Sequence, residues 1–304
     1  MSLLLQRLRH VRSNRRWLSL ERKVQRAFHL SSGACGLPHP QKRATGGEDA
    51  WFISGNTVGV ADGVGGWARK GIDSGEYSRT LMRSAKQVLT KSTMVPTPLQ
   101  VLTMAYHNAQ CPGSSTACIV QLKDLSLQAI NLGDSGFLLC RLQPDKIAEG
   151  ALRWQIVHES PCQCHYFNCP FQLGFGTNGD EPDMGEIFDL EIQEGDVVVL
   201  GTDGLFDNLF PKQIASLLDS VLPPKLELDQ RSMEKVASCI AHTAHKAAKS
   251  TKTKTPFSVA AQQAGYEYIG GKMDDITVVT MRQSTAYTCK KFYADRESRL
   301  RSLS

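Results

Sequence analysis

The sequence predicts an α+β fold. Three observations carry that expectation. Short apolar runs bounded by turn signals recur along most of the chain, helical periodicity is confined to two blocks, and strands and helices do not alternate as a parallel βαβ sheet requires. Residues 58–61, 116–122, 127–132, 137–142, 154–157, 197–200 and 276–279 read as strands. Several of these runs are continuously apolar, so both of their faces should be buried. The first helical block covers residues 74–90 and 98–109. There Tyr77, Leu81, Ala85 and Val88 recur at helical spacing, as do Leu99, Leu102, Tyr106 and Ala109. The second block spans residues 212–264 and carries the stripe Met233, Val236, Ala237, Ile240, Ala241, Ala244 and Ala248. His242 and His245 border that stripe and read as boundary residues.

The chain of 304 residues is 41% hydrophobic, an ordinary globular balance. No apolar run approaches the ~20 residues of a membrane-spanning helix. The net charge of +5 is unevenly placed: residues 1–45 contribute +9 and the rest −4. A mildly acidic body does not offer the clustered Lys and Arg of a nucleic-acid surface. The Arg-rich, acid-poor N-terminus fits a mitochondrial transit peptide over residues 1–35, and a matrix location is expected. Within it, Arg26 to Ser31 resembles a two-step processing pattern that leaves first Phe28 and then Gly36. A basic tail that binds RNA or anionic lipid is the alternative. One domain over residues 36–283 and a charged tail over 284–304 complete the expected organisation.

Nine cysteines, an odd number, without a secretory signal argue for reduced thiols. Cys118 and Cys140 lie in apolar runs and read as core residues. Cys162, Cys164, His165 and Cys169 gather four soft ligands, but their spacing departs from that of structural zinc sites, where cysteine pairs are well separated. They read as a reactive or incidental loop cluster.

The aspartates carry the chemistry. Asp62 follows Val58-Gly59-Val60-Ala61 and precedes Gly63; Asp134 follows Asn131-Leu132-Gly133; Asp203 follows an apolar run and Gly201-Thr202, and precedes Gly204; Asp274 and Asp275 precede Ile276. An isolated Asp-Gly pair usually makes a turn. A set of carboxylates at the ends of apolar strands is different, because a buried carboxylate is costly unless paired or ligated. No Lys or Arg partner is evident beside these motifs, so a divalent cation is the expected partner, and an all-oxygen set favours Mg²⁺ or Mn²⁺.

Gly47-Glu48-Asp49-Ala50, Val60-Ala61-Asp62-Gly63-Val64-Gly65-Gly66, Gly113-Ser114-Ser115-Thr116-Ala117, Asn131-Leu132-Gly133-Asp134-Ser135, Thr202-Asp203-Gly204-Leu205-Phe206-Asp207-Asn208 and Asp274-Asp275-Ile276-Thr277-Val278 occur in that order. The series resembles that of the metal-dependent protein phosphatase (PPM, type 2C) family over about residues 44–282. Asp62 to Trp67 and His165 to Leu173 resemble its mitochondrial PTC-seven-like branch. The resemblance implies a four-layer αββα sandwich, two antiparallel sheets flanked by helices, with two or more Mg²⁺ or Mn²⁺ ions at one end. It implies that Asp62 bridges two ions, that the Gly63 carbonyl binds the second, and that Asp203 and Asp274 complete the first. Glu48 and Asp49 would hold ion-bound waters, Asp134 with Asp203 a weaker third position, and Asp275 a supporting place. The implied activity is hydrolysis of serine and threonine phosphomonoesters by an ion-activated water, with no catalytic side chain required.

Two positions depart from the family pattern. Val64 stands where many members have a proton-donating His, and Ala44 where many have a phosphate-gripping Arg, with Arg43 out of register. Loss of a general acid costs on the order of 10²–10⁴ in rate. A catalytically impaired binding module is therefore the first alternative, and a phosphoesterase acting on small molecules or nucleic acid the second. The reading expects phosphoprotein partners, mitochondrial ones included, with no nucleic acid, no transmembrane segment and a monomeric chain. The loop over residues 160–186 is expected to overhang the site.

Overall fold

Runs rich in Val and Ile become strands because their branched side chains suit a pleated, two-sided surface. The computed structural model describes residues 24–145, 148, 150–176, 179–222 and 230–289. Strand β1 (Val24–Leu37) is followed by the hairpin of β2 (Asp49–Ser54) and β3 (Thr57–Asp62), then by helices α1 (Ser74–Lys91) and α2 (Pro98–Asn108). Next come β4 (Ser114–Ser115), β5 (Ala117–Lys123), β6 (Ser126–Leu132), β7 (Gly136–Pro144) and β8 (Leu152–Glu159). Three short strands, β9 (Cys164–Tyr166), β10 (Cys169–Pro170) and β11 (Leu173–Gly174), lead to β12 (Glu186–Glu191) and β13 (Val197–Gly201). Helices α3 (Asp203–Phe206), α4 (Pro211–Val221), α5 (Gln230–Ala248) and α6 (Pro256–Gln263) precede β14 (Ile276–Cys289).

Two five-stranded sheets result, ordered β1-β14-β13-β7-β8 and β12-β6-β5-β3-β2. Their inner faces share an apolar layer that includes Val58, Val60, Val120, Phe137, Val198, Leu200 and Val279. The outer face of the second sheet packs on α1 and α2 through Ile119, Ile130, Tyr77, Leu81 and Leu102. The outer face of the first packs on α4 and α5 through Val197, Val199, Ile276, Ile214, Val236 and Ile240. This is the αββα sandwich, and it explains why the central strands read as unbroken apolar runs: each has a packed layer on both sides. Among the described residues no helix is long and apolar enough to cross a membrane.

Strands β1, β2 and β12 and the short β4, β9, β10 and β11 lie beyond the sequence expectations. Strand β12 is an edge strand, largely exposed, whose three acids, Glu186, Asp189 and Glu191, conceal its strand character. Strand β1 begins at Val24, before the expected domain start at Gly36, and its Leu30 and Ala34 pack against the layer between the sheets. Residues 1–23 of the expected transit segment and residues 290–304 of the expected tail lie outside the described residues. The compact body runs over Phe28–Ser284, and a second unit comprises Met1–Ala27 with Thr285–Ser304.

Gly33 shows how closely β1 is docked. A Cβ there would lie 2.2 Å from the Glu234 nitrogen and 2.4 Å from the Met233 carbonyl carbon, both backbone of α5. Gly33→Ala should therefore destabilise the fold by roughly 1–3 kcal/mol, an overpacking cost, and lower the urea midpoint. Gly66→Ala, whose methyl meets nothing within 4 Å, should leave it unchanged. Equal midpoints for both variants would mean that β1 is not docked on α5.

Candidate metal centre

Antiparallel register delivers the motif aspartates to one end of the sandwich. In the β2–β3 hairpin Asp49 lies directly opposite Asp62, at the end away from the turn. Ala117 pairs with Leu132, so the chain leaving β6 reaches Asp134 beside the start of β5. In the other sheet Gly201 pairs with both Val278 and Gly136, which places Asp203 and Asp274 at the matching end. The Thr202 hydroxyl joins the two sheets there: it donates to Asp49 Oδ2 at 2.8 Å and accepts from the Thr277 N–H at 3.0 Å.

Asp62, Gly63, Asp134, Asp203, Asp274 and Glu48 line one cleft of about 210 Å³. Asp49 adjoins it, close enough to act electrostatically on Asp62. Gly63 is there for space: a Cβ would lie 2.3 Å from the Ser74 carbonyl oxygen and 2.8 Å from that of Glu48. Asn168 and Pro170 of the β9–β10 hairpin also line the cleft, so the 160–186 loop does overhang it. That hairpin is held by aromatic contact, with Phe167 against Phe257 and stacked on Tyr266 at 5.3 Å.

The carboxylates disturb one another. Burial first, and then the neighbouring aspartates, push Asp62 and Asp134 well above the usual carboxylate range. Burial and then Asp275 do the same to Asp49. Asp274 is raised by burial and by Asp203, and burial pushes Asp207 up to about 7 against the pull of Lys272. Burial would raise Asp203 as well, but the Lys272 ammonium beside it brings its carboxyl below the ordinary value.

Two lysines overturn the expectation that no basic side chain serves these motifs. Lys272 Nζ donates to Asp203 Oδ2 at 2.5 Å and Asp207 Oδ2 at 2.7 Å, and lies 3.7 Å from Asp274 Oδ2. Lys42 Nζ donates to Glu48 Oε2, and at 3.3 Å to both Asp274 Oδ1 and Asp275 Oδ2. Lys42 arrives from a loop at the far end of the chain from Asp274, and no local pattern announces it. Lys272 sits two residues before Asp274, where its neighbourhood to the acidic pair was the available signal. Asp275 supports the loop rather than the cleft. Its carboxylate accepts from the His39 N–H at 2.6 Å and the Glu48 N–H at 2.9 Å.

The donor set fits a hard cation. Asp49 Oδ1 and Asp203 Oδ1 are buried without a hydrogen-bond donor, a costly state for a carboxylate oxygen unless a cation faces it. Among the described residues no three acidic, His or Cys side chains already converge as a ready ligand group; the two ammonium groups grip the carboxylates instead. Asp203 is divided between the two roles, its Oδ2 held by Lys272 and its Oδ1 free.

No family model matches the chain. Over 259 residues it is 46% identical to "Probable protein phosphatase 2C 80" of Arabidopsis thaliana, covering 84% of this chain and 58% of that protein. It thus spans little more than half the length of that plant relative. Over 277 residues it is 37% identical to the "Protein phosphatase PTC7 homolog" of Homo sapiens, covering 83% of this chain and 86% of that protein. The solved photosystem II phosphatase PBCP matches with a TM-score of 0.72 at 30% identity, over 84% of this chain and 98% of that one. The catalytic domain of the phosphatase PstP, solved with two manganese ions, matches in fold with a TM-score of 0.55 at 16% identity, over 85% of this chain and 100% of that one. With sequence likeness along most of the human relative and the same sandwich beneath it, the chain belongs to the metal-dependent protein phosphatase (PPM, type 2C) family.

Proposed function

We propose that the chain is a protein serine/threonine phosphatase working with two or more Mg²⁺ or Mn²⁺ ions on mitochondrial phosphoproteins. The observation that carries this reading is the set of strand-end carboxylates in one cleft, with buried oxygens of Asp49 and Asp203 lacking a donor. Asp62, the Gly63 carbonyl, Asp203 and Asp274 would hold two ions, Glu48 and Asp49 would act through water, and Asp134 would serve a weaker third position. When bound, such ions supply a water acidic enough to attack phosphorus near neutral pH and offset charge on the phosphoryl oxygens. The metal-bound centre of PstP supports the same count here.

The chain's own groups do the rest. A cleft lined by this many carboxylates repels a phosphate, so substrate binding depends on their prior neutralisation. Lys42, with its side chain part-exposed at the cleft, offers an ammonium to a phosphoryl oxygen. It can take the gripping role left vacant at Ala44. Val64 offers no proton to the leaving alcohol, which favours a modest rate.

Metal binding, substrate affinity and the mature N-terminus each test this reading. Outer partners of metal ligands alone are worth about 10–100-fold in affinity, so Asp62→Asn and Asp203→Asn should weaken Mn²⁺ binding by at least about 100-fold in calorimetry. Asp134→Asn should affect only a weaker site, and EDTA should abolish turnover of a phosphothreonine peptide. Undiminished activity in folded Asp62→Asn protein would refute the mechanism. Lys42→Ala should raise KM for the peptide about 10-fold, as expected from the roughly 1.5–3 kcal/mol of a charged hydrogen bond; an unchanged KM would remove Lys42 from substrate binding. Import should leave Phe28 as the mature N-terminus, because removal to Gly36 would strip Leu30 and Ala34 from the sheet. N-terminal sequencing of the mitochondrial protein decides between the two.

A further inference from the structure

Beside the carboxylate cleft, Cys162 and Cys164 bring their sulfurs within 3.3 Å of each other. Gln163 between them is fixed on both sides. Its N–H donates to the Gly133 carbonyl at 2.9 Å and its carbonyl accepts from the Phe171 N–H at 3.0 Å. The first of these bonds attaches the thiol pair to the residue that precedes Asp134. Cys162 is exposed, and it lines a second cavity, of about 480 Å³, together with Asp134 and Asp207. By contrast, Cys118 and Cys140 are buried in the core.

We propose that Cys162 and Cys164 form an oxidisable dithiol that closes to a disulfide and disables the Asp134 side of the cleft. The oxidant is hydrogen peroxide. One thiolate takes an oxygen from the peroxide and becomes a sulfenic acid as the first water leaves. The second sulfur then displaces that oxygen as the second water, the S–S bond forms, and two thiols and one peroxide have become a disulfide and two waters. The Cys164 thiol is suited to begin: the hydrogen bond from Cys162 lowers it to about 7 despite burial. A disulfide spans about 2.05 Å, so the sulfurs must approach from 3.3 Å, a movement of order 1 Å. Gln163 is the only residue between them, and the strain passes through its bond to Gly133. The same movement disturbs the β9–β10 hairpin, which begins at Cys164 and carries Asn168 and Pro170 over the cleft.

The dithiol stands on its own geometry; its effect on turnover rests on the phosphatase reading. The test treats the full-length, Mg²⁺-loaded protein with hydrogen peroxide and maps its peptides by mass. A peptide lighter by about 2 Da, linking Cys162 to Cys164, is expected. Turnover of a phosphothreonine peptide should fall about ten-fold or more, since misplacement near 1 Å can cost about 10²-fold. Mn²⁺ binding should weaken in parallel, and dithiothreitol should restore both. Cys162→Ser and Cys164→Ser should keep the reduced activity and resist peroxide. A Cys164–Cys169 bridge, oxidation halting at sulfinate, equal inactivation of Cys162→Ser, or a Cys162–Cys164 disulfide with Mn²⁺ binding unchanged would each overturn the proposal. The mass and Mn²⁺ readouts decide it even if the chain proves not to hydrolyse the peptide.

Discussion

Repulsion among carboxylates crowded at one end of the sandwich is the constraint around which the rest is arranged. Asp49 facing Asp62 across a hairpin is a like-charge cross-strand pair, which sheets ordinarily avoid. The fold tolerates it because stability is generated elsewhere, in three apolar layers that end short of the cleft. The site is a local cost carried by a well-packed scaffold. Strand ends and the short segments that join them fix where each acid stands, so the acids cannot separate to relieve the repulsion.

Compensation comes from opposite sides. Lys272 takes the edge formed by Asp203 and Asp207, and Lys42 takes the edge formed by Glu48 and Asp275, with Asp274 within reach of both. Two ammonium groups cannot balance this many acids, and the buried oxygens left over mark where further positive charge belongs. The overhanging hairpin closes the third side through Phe167 and its aromatic partners. Its root is the Cys162–Cys164 pair, so the covering element and the acids beneath it meet at one short segment.

Much of this was legible in the sequence for a simple reason. Strand-end aspartates beside glycine after apolar runs are local patterns, and antiparallel topology converts them into neighbours. The central strands and the α1, α2 and α5 stripes were equally plain, because burial on both faces or on one stripe leaves a periodic mark. Strand β1 was not, since its basic, mixed composition reads as an import address while its backbone serves as a sheet strand. Strand β12 hid behind exposed acids. Lys42 was missed because two of its partners, Asp274 and Asp275, are 232 and 233 residues away in sequence, and Glu48 six residues on does not by itself mark a cleft. The thiol pair was visible as a cluster, but which two sulfurs touch depends on how Gln163 is pinned.

The carboxylate of Asp275 has a bearing on how the protein is born. It receives the backbone N–H groups of His39 and Glu48 across 236 and 227 residues, so the loop bearing Lys42 and Glu48 is shaped by a residue that follows it only after most of the described body has been made. Contacts of such long range form late, after loop-closure entropy has been overcome. A chain still lacking Asp275 would leave the His39 and Glu48 amides without their acceptor, although the β2–β3 hairpin already sets Asp49 opposite Asp62. The cleft lined by Asp62 and Asp274 would then be complete only once the first sheet closes on β14.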